Sequence, residues 1–175
     1  MTSMRLLLIL AITLSSLLCL GCNSPATPNS NVTVEIGKGI ASADVVRVKP
    51  DPVMIAAGGT ADAVVRLRIQ EGYHVNANPP TEPYLIPTEL EIDRGQGIAV
   101  NFIVYPDAIK KSFSFAKQPL AVYEGETIVR VSLKADDTLA KGERHLSGKL
   151  RIQACDDEVC YPPGTVDVSI PITVN

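Results

Sequence analysis

The stretch Lys149, Leu150, Arg151, Ile152, Gln153, Ala154, Cys155, Asp156, Asp157, Glu158, Val159, Cys160, Tyr161, Pro162, Pro163, then Gly164 to Ile170 with Val166, Asp167, Val168 and Ser169, carries both the fold and the chemistry of this chain. Apolar and polar residues alternate on either side of the two cysteines, the period of a half-buried strand. The cysteines have four residues between them, three of them acidic. A fully extended chain would hold their sulfurs about 16 Å apart. The chain therefore reverses between them if they are to meet. With Cys155 ending one strand and Cys160 beginning the next, the two become cross-strand neighbours about 4.5 to 5.5 Å apart at Cα, which suits a disulfide at a hairpin tip.

The same period recurs upstream. Val65 to Ile69, Glu89 to Ile92 and Thr127 to Leu133 all alternate, and Ile172 and Val174 continue the pattern beyond Pro171. About eight or nine short strands separated by Gly, Pro, Asp and Asn are expected, with no amphipathic helix. The fold class is all-β, an immunoglobulin-like antiparallel β-sandwich. Aromatic residues make up only 5% and tryptophan is absent, so the core must be mostly Val, Ile and Leu. Sixteen Lys and Arg against nineteen Asp and Glu give a net charge of −3 with no basic patch, which argues against a nucleic-acid partner.

The N-terminus fixes the compartment. Arg5 precedes an apolar run from Leu6 to Leu20, too short for the ~20 residues of a membrane span and ending in small residues, as in an export signal. Residues 1–21 read as a signal peptide. Leu20, Gly21, Cys22 resembles a bacterial lipoprotein box, with Cys22 as the acylated first residue of the mature chain, although Cys19 stands where that box usually has an aliphatic residue. Ordinary secretory cleavage or an uncleaved anchor is the alternative. Residues 22–40 form a lipid-anchored linker, polar and proline-bearing from Asn23 to Asn31, and 41–175 form one domain. The protein is thus expected outside the cytoplasm, on the periplasmic side, as a membrane-anchored lipoprotein. Of four cysteines, Cys19 falls in the signal and Cys22 on the lipid, so Cys155 and Cys160 remain for the domain. In an oxidising compartment a close pair is often a structural bond, yet so small a loop constrains the unfolded chain little. Four-cysteine zinc is excluded by count, and no metal site is expected.

Further residues carry a family resemblance. Gly72 to Pro80 with Tyr73, His74, Asn76 and Asn78, then Tyr84 to Thr88, then Val122, Tyr123, Glu124, Gly125, and finally the cysteine run with Pro162 and Pro163, resemble the disulfide-bond corrector family. That family is similar to the N-terminal periplasmic domain of the thiol:disulfide reductase DsbD. The resemblance covers most of the chain from about Ala41. It implies an immunoglobulin-like sandwich whose Cys155/Cys160 pair cycles between dithiol and disulfide. Electrons would pass from a thioredoxin-like donor to oxidised extracytoplasmic proteins, without a cofactor. The reductase's membrane spans and thioredoxin-like domain have no counterpart in this sequence, so the donor is expected to be a separate protein. The cysteine spacing is also one residue shorter than in the reductase.

Around that pair the resemblance and the residues suggest further roles. Asp156, Asp157 and Glu158 place negative charge beside both sulfurs, which disfavours the thiolate and would tune the pair towards donating electrons; the alternative is a solvated turn. In the resembled family a loop covers the pair, and the matching stretch here is Asp107 to Leu120, with Phe113 and Phe115 as cap residues or, alternatively, as core plugs. His74 and Tyr161 are candidate neighbours of the pair, with a purely structural role as the alternative for His74. Two other classes stay open: a lipid-anchored β-sandwich binding module with a structural disulfide, and a metal-handling protein using the thiols with His74 or Met54.

Overall fold

The computed structural model describes residues 39–175. The export signal 1–21, Cys22 and nearly all of the linker 22–40 lie outside the described residues. Among those described there is no α-helix, only a 3-10 turn over Ser42–Val45, and no helix long and apolar enough to cross a membrane.

Twelve strands follow: β1 (Val46–Pro50), β2 (Val53–Ile55), β3 (Thr60–Ile69), β4 (His74–Asn76), β5 (Glu89–Ile92), β6 (Ile98–Val104), β7 (Ile109–Lys111), β8 (Leu120–Tyr123), β9 (Glu126–Ala135), β10 (Gly142–Ile152), β11 (Ala154–Cys155) and β12 (Gly164–Val174). They form three four-stranded sheets in the orders β1-β3-β9-β6, β2-β12-β10-β5 and β11-β4-β8-β7. Pairing is antiparallel except between β12 and β2. The count exceeds eight or nine because β2, β4, β7 and β11 are only two or three residues long, too short for an alternation to be decisive.

In the long strands the period-two pattern is the burial pattern. Ala63, Val65, Leu67 and Ile69 of β3 and Val129, Val131 and Leu133 of β9 point inward, as do Leu146, Leu150 and Ile152 of β10 and Val168, Ile170, Ile172 and Val174 of β12. These side chains form one cluster, which Val75, Ala77, Tyr123 and Ala154 of the third sheet and its margins extend. Each fully buried Val, Leu or Ile contributes about 1.5–3 kcal/mol relative to exposure, so this aliphatic wall holds the domain without tryptophan. Pro171 sits within β12 one residue before the β2 ladder begins at Ile172, where that flank of β12 has no partner to miss its N–H.

The third sheet positions the cysteines. The β10–β12 ladder ends at Ile152 opposite Gly164, and two residues on, Ala154 and Cys155 pair instead with Val75 and His74. The chain thus changes sheets at Gln153.

Candidate functional site: the Cys155–Cys160 hairpin

Cys155 and Cys160 are disulfide-bonded, with Cα atoms 3.9 Å apart, closer than ordinary cross-strand spacing. Cys155 ends β11, but Cys160 makes only an isolated bridge back to it, and β12 starts at Gly164. The expectation that Cys160 begins the next strand fails for a local reason. Pro162 and Pro163 have no N–H to give a ladder, and Tyr161 spends its own on Ala154 O at 2.9 Å. The two sulfurs see different surroundings: Cys155 is fully buried, whereas Cys160 is partly exposed.

The turn between them is held by Asp156. Its Oδ1 accepts from the N–H groups of Glu158 and Val159, both at 2.8 Å, while Oδ2 accepts from the Tyr161 hydroxyl at 2.5 Å. Those bonds, the Tyr161 hydroxyl first, hold the Asp156 carboxyl below the usual carboxylate range. The same bond pushes the Tyr161 phenol up to about 12. Asp156 therefore acts as the cap of an Asx-type turn. Asp157 forms an ion pair with Lys111 at 3.3 Å, and Glu158 is exposed.

His74 stands directly opposite Cys155 in the β4–β11 ladder and is 1% exposed. Its ring stacks on Phe113 with centroids 4.1 Å apart, and its Nε2 has no hydrogen-bond partner. Burial pushes the imidazole below its ordinary pKa; Glu124, Asp157 and Asp156 favour the cation, and Lys111 opposes it. Tyr73 lies against Tyr161 at 6.0 Å between ring centroids.

The loop joining β7 to β8 lies over this face. Phe113, 7% exposed, belongs with Leu120 and Val122 to a small cluster separate from the main core. Phe115 stacks on Phe113 at 5.3 Å but is 42% exposed, so neither phenylalanine plugs the main core. Lys111 ties the loop down, with Nζ 2.8 Å from Glu124, 3.3 Å from Asp157 and 5.4 Å from the Phe113 ring centre. Ser114 Oγ donates to Asp157 O at 3.5 Å.

Two polar struts were not singled out in the sequence. Gln153 Oε1 accepts from Ile86 N and from Asn76 Nδ2, and its Nε2 donates to Tyr161 O, each at 3.3 Å. Ser42, fully buried, accepts from Ala154 N at 3.0 Å and donates to Pro162 O at 2.6 Å. A Cβ at Gly164 would sit 2.8 Å from Ala43 N, so the 3-10 turn packs here against a residue without a side chain. A polar amide directly between the apolar Ile152 and Ala154, next to the cysteine run, is the signal that would have flagged Gln153.

Met54 is exposed on β2 opposite Thr173, nine residues along β12 from Gly164 and so about 30 Å from the cysteine end. It cannot join the thiols and His74 in one metal site. Among the described residues no group of three or more His, Cys, Asp or Glu is placed to hold a metal.

An immunoglobulin-like all-β domain carrying one disulfide, with one sulfur buried and one partly exposed, defines the class. Residues 42–171 match the family model described as thiol:disulfide interchange protein DsbD, N-terminal, and the chain belongs to that family. Among solved structures, the N-terminal periplasmic domain of ScsB from Proteus mirabilis is 14% identical with a TM-score of 0.51, covering 74% of this chain and 47% of that one. The reduced N-terminal domain of DsbD from Neisseria meningitidis is 22% identical with a TM-score of 0.43, covering 65% of this chain and 79% of that one. A complex between the DsbD and PilB N-terminal domains from Neisseria meningitidis matches at 15% identity and a TM-score of 0.45, with coverages of 75% and 87%. No curated protein sequence matches.

Proposed function

We propose that this domain is an extracytoplasmic thiol–disulfide exchange module, tethered through an acylated Cys22, that passes electrons through Cys155 and Cys160 to oxidised partner proteins. A separate thioredoxin-like protein supplies the electrons. The observation that carries this reading is the inequality of the sulfurs: a partner thiolate can reach Cys160, while Cys155 stays behind it in the sheet. Family membership supports it.

In reduction of the module, the donor's thiolate attacks Cys160 Sγ, the Cys155–Cys160 bond breaks, and Cys155 leaves with the electron pair. The donor's second thiol then resolves the mixed disulfide. In the forward transfer, Cys160 attacks the acceptor disulfide, and Cys155 displaces the acceptor, which departs as a dithiol. Two electrons move in each half-cycle.

Cys155→Ala, expressed with its export signal, should accumulate a mixed disulfide through Cys160. Cys160→Ala, which leaves only the buried sulfur, should accumulate much less. A pair serving only as a staple gives neither adduct. One observation favours a docking role instead: Phe102 and Val104 on edge strand β6 are 60% and 47% exposed. A module that only docks would bind its partner equally well with both cysteines replaced.

A further inference from the structure

We propose that His74 is the proton acceptor for Cys155, taking the thiol proton at Nε2 as the buried sulfur resolves the mixed disulfide on Cys160. The proposal rests on the exchange reading above. Cys155 must become a nucleophile at a position with no access to water, so its proton needs an acceptor within the protein. Opposite residues of an antiparallel pair bring their Cβ atoms within about 4.5–5.5 Å, and His74 is the residue opposite Cys155.

Its Nε2 is buried and makes no hydrogen bond while the disulfide is closed. An unsatisfied buried ring nitrogen is costly unless some other state of the site uses it. Opening the disulfide supplies that state, because Cys155 Sγ is then free to rotate towards its neighbour. Phe113 holds the ring in place from the outer side at 4.1 Å.

Three of the four charged groups around the ring fit the task. Burial keeps the imidazole neutral and ready to accept, while Glu124, Asp156 and Asp157 favour the imidazolium once it forms. Lys111 opposes it but is engaged by Glu124 and Asp157. The acids that discourage a lone thiolate thus support a thiolate–imidazolium pair.

The step balances. The Cys155 proton moves to Nε2, the sulfur attacks Cys160 Sγ, and the bond from Cys160 to the partner sulfur breaks with its electrons leaving on the partner. The imidazolium then gives up its proton as the partner thiolate departs, so that the partner leaves as a thiol.

The test follows the reduced protein reacting with dithiobis(nitrobenzoate), which releases one coloured thiolate when Cys160 attacks and a second when Cys155 resolves. His74→Gln should slow the second phase relative to the first by on the order of a hundredfold at pH 7. That gap should narrow as pH rises, because hydroxide then takes over part of the deprotonation. Equal second phases at all pH values would overturn the proposal, whereas a missing first phase in the native chain would overturn the exchange reading itself. A second measurement needs no variant: the His74 ring titration, followed by NMR, should differ between the reduced and oxidised protein. Superimposable curves would count decisively against the proposal.

Discussion

The Tyr161 hydroxyl donates to Asp156 Oδ2 at 2.5 Å, so the residue that follows Cys160 is bonded to the residue that follows Cys155. This contact closes the turn a second time beside the disulfide, and it couples loop order to the ionisation of both groups. The Asp156 carboxyl is held low, so its contribution to stability is present above the unfolded carboxylate pKa and is lost as pH falls through the lower folded value. The Tyr161 phenol is raised to about 12, so its contribution is present below the unfolded value near 10 and is lost as pH rises towards 12. Asp156→Asn should bring one tyrosine titration, read by tyrosinate absorbance, down towards 10. It should also flatten the loss of stability on the acid side. An unchanged tyrosine titration would show that the bond does not form in solution.

Gln153 should matter to stability more than its place in the sequence suggests. Replacing it by alanine removes the acceptor for Ile86 N and Asn76 Nδ2 and the donor to Tyr161 O at the joint between two sheets. Leaving partly buried groups unpaired costs about 1–3 kcal/mol, so the urea midpoint should fall by a corresponding amount. Gln153→Glu keeps the acceptor but not the donor and should lie between. A loss below about 0.5 kcal/mol would mean that water replaces the side chain.

The long strands were legible because burial and period coincide: Val65, Leu67 and Ile69 or Val168, Ile170 and Ile172 need no context to be read as one face. The third sheet was less so. Polar His74 and Asn76 alternate with Val75 along β4 as on a strand, yet all three are buried, so the pattern does not tell which face meets the core. The change of sheet at Gln153 was hidden for another reason, since the alternation of β10 runs on past it without a break in pattern. The cysteine pairing was readable from compartment and spacing. The inequality of the two sulfurs was not, because it depends on which residue of the hairpin lies against β4. Three adjacent acids looked like one charge cluster, but the backbone separates them: Asp156 caps the turn, Asp157 meets Lys111, and Glu158 faces water.

Lys111 links the loop bearing Phe113 to the cysteine hairpin, yet the Asp157 side chain is 75% exposed, so the pair is a weak latch. Exposed ion pairs contribute about 0.2–1 kcal/mol. Lys111→Gln should therefore leave the unfolding midpoint almost unmoved and speed alkylation of the reduced thiols by no more than about fivefold. Added salt should produce part of the same acceleration in the native sequence. A salt-independent rate in both proteins would show that this bridge does not govern access.

Phe113 and Phe115 should separate cleanly. Phe113 is buried against His74, Leu120 and Val122, whereas Phe115 lies on top of it with much of its ring in water. Phe113→Ala removes a buried aromatic ring, a change that costs about 3 kcal/mol or more in a packed site. It should also uncover the buried face of the hairpin and speed alkylation of Cys155 in the reduced protein at least about tenfold, the factor that about 1.4 kcal/mol of lost cover would give. Phe115→Ala should change stability by less than about 1 kcal/mol and leave Cys155 protected, because the inner ring remains. Site-resolved alkylation read by mass spectrometry distinguishes the two sulfurs. If the two variants expose Cys155 equally, the loop shields the hairpin by bulk rather than through the Phe113 stack. If neither does, protection of Cys155 comes from its place in β11 alone, and the loop is no cap.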